Sequence, residues 1–260
     1  MADTAWRANI DGFEQTARSV VALADELDAA DWDRPTECPG WSVKDQYSHI
    51  LGLERWLLGD ADDGEVRTTA NTGLDVEARR ADPPGEIVGE LRDVVERRVA
   101  ALRSGAVDLS EVVTTPFGAT MAYGDFMRHR AFDVWMHEQD VRRAAGRPGN
   151  LDGPAAECSR LILERALPFV VGKRAAAEPG QVVVVQTPEH HWRVVVGDDR
   201  RARFHDGSGD EAEPTVRLRM TWETFFRLGG GRVTGDEADV EVVGDLDLAR
   251  RVLAGMAITP

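Results

Sequence analysis

Four stretches in the first 146 residues carry apolar side chains at three- and four-residue steps, and each predicts a helix. Over 6–29 the stripe is Ile10, Phe13, Ala17, Val20, Ala24 and Leu27. A second helix is expected over 42–58, opened by Ser42-Val-Lys-Asp45, a capping box built with the shorter acid. A third is expected over 84–104, with Pro84 in its first turn, Ile87, Leu91, Val94, Val95, Val99 and Leu102 turned inward, and Gly105 as its stop. Its polar residues read as a solvated face. The fourth, YGDFMRHRAFDVWMHEQDVRRAAG over 123–146, has no proline and, after Gly124, no glycine before the stop at Gly146. The connections are a proline- and glycine-bearing segment over 31–40, a long polar loop over 60–82 of the kind that often walls a site, and a loop around 114–118. Four long helices joined in this way predict an antiparallel bundle.

Beyond a turn-rich break at 150–154 the pattern changes. One more helix is expected over 155–167, interrupted or kinked at Pro168. Short β-like runs then follow at 181–186, 192–196, 201–205, 215–220 and 239–243, separated by glycine, aspartate or proline turns. They predict a small antiparallel sheet, with helices over 221–228 and 245–256 covering one face. The expected fold class is therefore α + (α+β): an antiparallel four-helix bundle over 1–150 and a smaller α+β domain over 151–260.

Composition narrows the partners. The chain has 260 residues, 42% apolar and 30% charged, a globular balance. Its 31 basic and 46 acidic residues give a net charge of −15, which repels phosphate backbones and anionic lipid, so neither nucleic acid nor a membrane is an expected partner. No apolar run approaches the ~20 residues of a membrane span. The acidic start lacks a basic-then-apolar signal region, and two cysteines, Cys38 and Cys158, make no disulfide framework. A reducing cytoplasm is the expected location.

The fourth helix carries the candidate chemistry. With His129 set at 0°, His129, Asp133, His137 and Asp140 fall within roughly 0–80°, alongside Phe126, on the inward side. Arg128, Glu138, Gln139, Arg142 and Arg143 fall in a more polar arc at roughly 180–320°, interrupted by Phe132 and Trp135. Imidazoles and carboxylates turned inward cost several kcal/mol unless paired or bound to a metal, so a shared cation is the economical partner. On the second helix Asp45 and His49 stand four residues apart, which suits a carboxylate holding one nitrogen of an imidazole ligand.

Three features now stand together: CPGWSVKDQYSH ending at His49, HRAFDVWMHEQD ending at Asp140, and a sheet domain after the helices. In these the chain resembles the mycothiol-dependent maleylpyruvate isomerase family over essentially its whole length, the two motifs fairly specifically and the C-terminal half, which looks sterol-carrier-like, more loosely. The resemblance implies a DinB-like bundle and a divalent metal, usually zinc, held by a histidine on the second helix and by a carboxylate and a histidine four apart on a later one. By position these are His49, Asp133 and His137. The isomerase itself carries glutamate where this chain has Asp133. His129 is the rival ligand, since three-histidine sites occur among DinB-like proteins. Family proteins also use an arginine from the second domain, and Arg232, after Gly229-Gly-Gly231, is the choice here, with Arg227 nearby.

Other polar residues have plainer readings. Asp140, Arg142 and Arg143 suit salt bridges at the helix end, Asp140 also being placed to orient a ligand. Cys38 beside Pro39 suits a packed turn, and His190-His191 a solvated one. The leading functional expectation is an enzyme that activates a low-molecular-weight thiol, with mycothiol as the cosubstrate the resemblance implies, for addition to a small-molecule electrophile. Such an enzyme acts as an S-transferase or a cis-trans isomerase, and as a monomer or homodimer. The same site also suits a metal-dependent hydrolase or a ferrous oxygenase, and a non-catalytic module for a small hydrophobic ligand is a third reading.

Overall fold

The capping box forms in the computed structural model, which describes residues 2–61, 64–205 and 213–259. Ser42 Oγ accepts from the Asp45 amide, and Asp45 Oδ2 accepts from the Ser42 amide at 2.8 Å, so two otherwise orphaned donors are satisfied where α2 (Val43–Leu58) begins. The helix closes on Gly59 in the left-handed conformation. Its partners in the first unit are α1 (Ala2–Leu23), extended by a 3-10 turn at Ala24–Glu26, α4 (Pro84–Ser104) and α5 (Tyr123–Ala145). Helices α1 and α5, α5 and α2, α2 and α4, and α4 and α1 are in contact, which closes a four-helix bundle. Phe13, Val20, Tyr47, Ile50, Leu51, Leu91, Val95, Met127 and Val134 fill its core. Each such side chain contributes about 1.5–3 kcal/mol by leaving water.

Four features of this unit depart from the sequence pattern. The long loop contains a short helix, α3 (Leu74–Ala78), and the stretch before α5 forms a hairpin, β1 (Val112–Thr114) with β2 (Thr120–Ala122). The polar arc of α5 is packed: Glu138 is fully buried and takes hydrogen bonds from Thr16, Ser19, Arg142 and Asn150, each at 2.7 Å. The solvated face expected of α4 is likewise broken, by a buried Arg98.

The second unit begins within α6 (Pro154–Phe169); the chain divides into compact units Met1–Ser159 and Arg160–Pro260. Helix α6 runs through Pro168, which has no N–H to give the helix, and ends in a π-helical turn at Val170–Arg174. Five strands follow, β3 (Val182–Gln186), β4 (His191–Val196), β5 (Ala202–Phe204), β6 (Val216–Arg219) and β7 (Glu241–Gly244), in the order β5-β4-β3-β6-β7. Three pairings are antiparallel, as expected, while β3 and β6 run parallel, which makes the sheet mixed. Val182–Val185 are all buried, so β3 is covered on both faces, as the centre of a sheet requires. Helix α8 (Leu246–Ala254) packs on β6 and β7, and Phe225 of α7 (Trp222–Gly229) stacks on Trp192 of β4 with ring centroids 4.7 Å apart.

Gly52 lets the long loop close on α2. A Cβ there would overlap the side chain of Asp75, which sits in a buried bidentate pair with Arg67 at 2.8 and 3.0 Å. Gly52→Ala is expected to destabilise the protein by about 1–3 kcal/mol through overpacking, despite alanine's better helix propensity, as read by urea unfolding.

Candidate metal centre

Two helices deliver one cluster. His49 projects from the middle of α2, while Asp133 and His137 lie one turn apart on α5, and one ligand atom from each lies within 4.8 Å of the others. His49 Nε2 is 3.7 Å from Asp133 Oδ2, and His137 Nε2 is 3.7 Å from Asp133 Oδ1. The two imidazoles meet edge to face with centroids 4.7 Å apart. In a tetrahedral zinc site with bonds of about 2.0–2.1 Å, neighbouring donors stand roughly 3.4 Å apart; the two histidine–carboxylate distances are close to that, and the whole set would contract from within 4.8 Å to hold such an ion. The imidazole side chains are 7% and 8% exposed against 34% for the Asp133 side chain, so the cluster meets solvent along its carboxylate edge.

Trp41 roofs the imidazoles. Its ring centroid lies 4.9 Å from that of His49 and 5.7 Å from that of His137. The Cys-Pro-Gly turn places it: Gly40 adopts φ 79°, and the Trp41 amide donates to the Cys38 carbonyl at 3.1 Å. Cys38 is thus a turn residue, as expected.

A buried ionic chain backs Asp133. Arg130 donates from Nη1 to Asp133 Oδ2 at 2.8 Å and from Nε and Nη2 to Glu54 Oε1 at 3.0 and 2.7 Å. The other oxygen of Glu54 accepts from Arg98 Nε at 2.8 Å, and Arg98 also donates to the Tyr123 hydroxyl at 2.9 Å. Burial acts to raise the Asp133 pKa, but Arg130 and the two histidines outweigh it and hold the carboxyl well below its usual range. Burial, opposed by Asp133, pushes the His49 pKa down and favours the neutral imidazole that a metal requires. On the far side of His137, Nδ1 lies 3.7 Å from Asp140 Oδ2, and Asp140 accepts from Arg143 at 3.0 Å, so this carboxylate both caps a salt bridge and faces the ring.

The other candidates make contacts of their own. Asp45 is committed to the capping box and turns back toward Ser42, away from His49, whose Nδ1 is buried without a hydrogen-bond partner among the described residues. His129 packs on Phe117 of the hairpin loop, centroids 4.8 Å apart, and is not among the clustered donors. Arg232 stands in the second unit after α7 and donates to the Gly230 carbonyl at 2.7 Å. His190 lies against Trp192 at 5.4 Å. Sequence reasoning missed Arg98, Glu54 and Arg130. For two of them a signal was present: Arg98 is four residues from both Val94 and Leu102 on the inner stripe of α4, and Arg130 precedes Asp133 by three and His137 by seven.

The donor set fits a divalent cation: two imidazoles and a carboxylate, with Arg130 paired to the carboxylate from behind and one edge open. Comparison with known proteins gives the family. The family model described as the mycothiol maleylpyruvate isomerase N-terminal domain matches residues 13–142, and that of the MDMPI C-terminal domain matches 157–251. The chain is similar in fold to a crystal structure of the mycothiol-dependent maleylpyruvate isomerase, with TM-score 0.55, 17% identity and 93% of each chain covered. A histidine-to-alanine mutant of that enzyme matches at TM-score 0.53, with the same identity and coverage. No curated protein matches the sequence.

Glu54→Ala would leave two guanidinium groups buried without their shared carboxylate. The expected cost is about 3–5 kcal/mol, measured by urea unfolding of the metal-free protein.

Proposed function

The chain belongs to the mycothiol maleylpyruvate isomerase family, and from that membership and the geometry of His49, Asp133 and His137 we propose a divalent-metal enzyme that activates a low-molecular-weight thiol against an electrophilic small molecule. The observation that carries the reading is the convergence of three donors from two helices on one point, with the carboxylate edge open. Zinc is the proposed ion and mycothiol the proposed thiol. A divalent cation held there supplies an electrophilic centre that stabilises thiol sulfur in its thiolate form near neutral pH.

The residues divide the work. His49 and His137 offer Nε2, each ring held by burial and by Trp41, so neither has to be desolvated when the ion arrives. Asp133 offers a carboxylate already ionised by its neighbours. The chain's own buried thiol is a poor source of sulfur, since burial pushes the pKa of Cys158 up to about 11. Addition of an external thiolate to an activated carbon–carbon double bond leaves a single bond that can rotate. Expulsion of the thiolate then completes a cis-trans isomerisation, whereas protonation of the carbanion completes a transfer. Arg232 is proposed to meet the anionic charge of the electrophile.

Purified protein is expected to carry close to one divalent ion per chain by elemental mass spectrometry and to turn over only with thiol present. His137→Ala and Asp133→Ala should each lower metal content and reduce thiol-dependent turnover by more than about a hundredfold. Unchanged metal content and turnover in both variants would overturn the proposal. Arg232→Ala should raise KM for the electrophile roughly tenfold or more while leaving metal content unaltered, and an unaltered KM would remove Arg232 from the site.

A further inference from the structure

The charged chain behind Asp133 does more than neutralise it. Arg98, Glu54 and Arg130 are each buried, and their contacts run from α4 through α2 to α5 with no bond longer than 3.0 Å. Burying ion pairs seldom adds stability over apolar packing, so stability alone does not account for four charges in series. The series ends on a carboxylate whose two oxygens are treated differently. Each faces an imidazole, Oδ2 lying 3.7 Å from His49 Nε2 and Oδ1 3.7 Å from His137 Nε2, but only Oδ2 also accepts the Arg130 bond, at 2.8 Å. We infer that Arg130 is a positioning residue for the cation: with Glu54 fixing its guanidinium, it holds the Asp133 carboxylate so that Oδ1 alone is offered to the ion. This rests on the metal reading above.

The fork geometry of arginine is essential to this role. One planar guanidinium spans Glu54 and Asp133 together, whereas a lysine ammonium keeps the charge opposite Glu54 without bridging both carboxylates in fixed directions. Freed from Arg130, the Asp133 carboxylate can rotate and bind through both oxygens, which raises the coordination number and weakens the preorganised site.

The test uses cobalt(II) as the probe on the full-length protein, read by titration of its visible absorption, whose intensity falls as coordination rises from four to five or six. Arg130→Lys is expected to weaken cobalt binding about ten- to a hundredfold and to lower the absorption per bound ion. Should Arg130→Lys fail to fold, the triple variant Arg98→Met, Glu54→Leu, Arg130→Met replaces the whole chain by apolar side chains of similar length, and is expected to keep the fold yet show the same loss and the same spectral change. A folded variant of either kind that binds cobalt with wild-type affinity and spectrum overturns the inference. If the wild-type protein itself takes up no cobalt, the metal reading fails instead, so the two failures are told apart.

Discussion

The interaction on which the first unit depends is the alternation of buried charges Arg98, Glu54, Arg130 and Asp133. A lone charge in a bundle core is strongly unfavourable, so each member is tolerated only where its neighbour meets it within hydrogen-bond distance. Because the members come from α4, α2 and α5, that requirement favours one axial register of the three helices over its neighbours. Apolar packing among Ile50, Leu91 and Val134 brings these helices together but would tolerate a shift along the axis far better. In this register His49 on α2 stands level with Asp133 on α5, one layer in front of the buried charges.

Helix α5 turns this register into a site through its own periodicity. Arg130, Asp133, His137 and Asp140 follow at steps of three, four and three, which places them one above another on one face. Helical side chains lean toward the N-terminus, so each reaches over the turn before it: Asp133 over Arg130, and His137 over Asp133. A short carboxylate suits that arrangement, since Oδ2 meets the Arg130 guanidinium at 2.8 Å while Oδ1 still faces the next imidazole. His137 lies between two carboxylates, with Nε2 3.7 Å from Asp133 and Nδ1 3.7 Å from Asp140.

Much of this was legible in the sequence because it is periodic. The bounds of α2, α4 and α5 follow from Ser42-Asp45, Pro84, Gly59, Gly105 and Gly146, which are local signals. The inward stripe of α5 follows from spacing alone. Pairings between distant residues were not legible: nothing near Glu54 shows that it bridges Arg98 and Arg130, and Arg98 was assigned to solvent because charge was weighed above its position on the apolar stripe. Asp45 was given to His49 because i,i+4 spacing permits it, yet a capping carboxylate is drawn back to its N-cap. The hairpin and α3 are too short for any period to register. In the second unit, alternation marks strands but not their direction, so the parallel pairing of β3 with β6 was missed; the unbroken run of four valines in β3 was the available sign of a central strand.

The balance of closed and open sides bears on what a cation there could do. A structural zinc centre is closed by four protein donors, whereas the cluster among the described residues has three, with burial concentrated on the imidazoles and exposure on the carboxylate. A cation held by these three would have a position open to a further donor on the side of Asp133. Sulfur is well matched to zinc, and a buried Cys158 with its pKa raised to about 11 does not compete for the role. A ligand arriving by that edge meets a carboxylate whose negative charge is already engaged by Arg130, so the approach of a thiolate is opposed less than an unpaired aspartate would oppose it. The guanidinium bonded to Asp133 Oδ2 thus also moderates the charge along the exposed edge of the cluster.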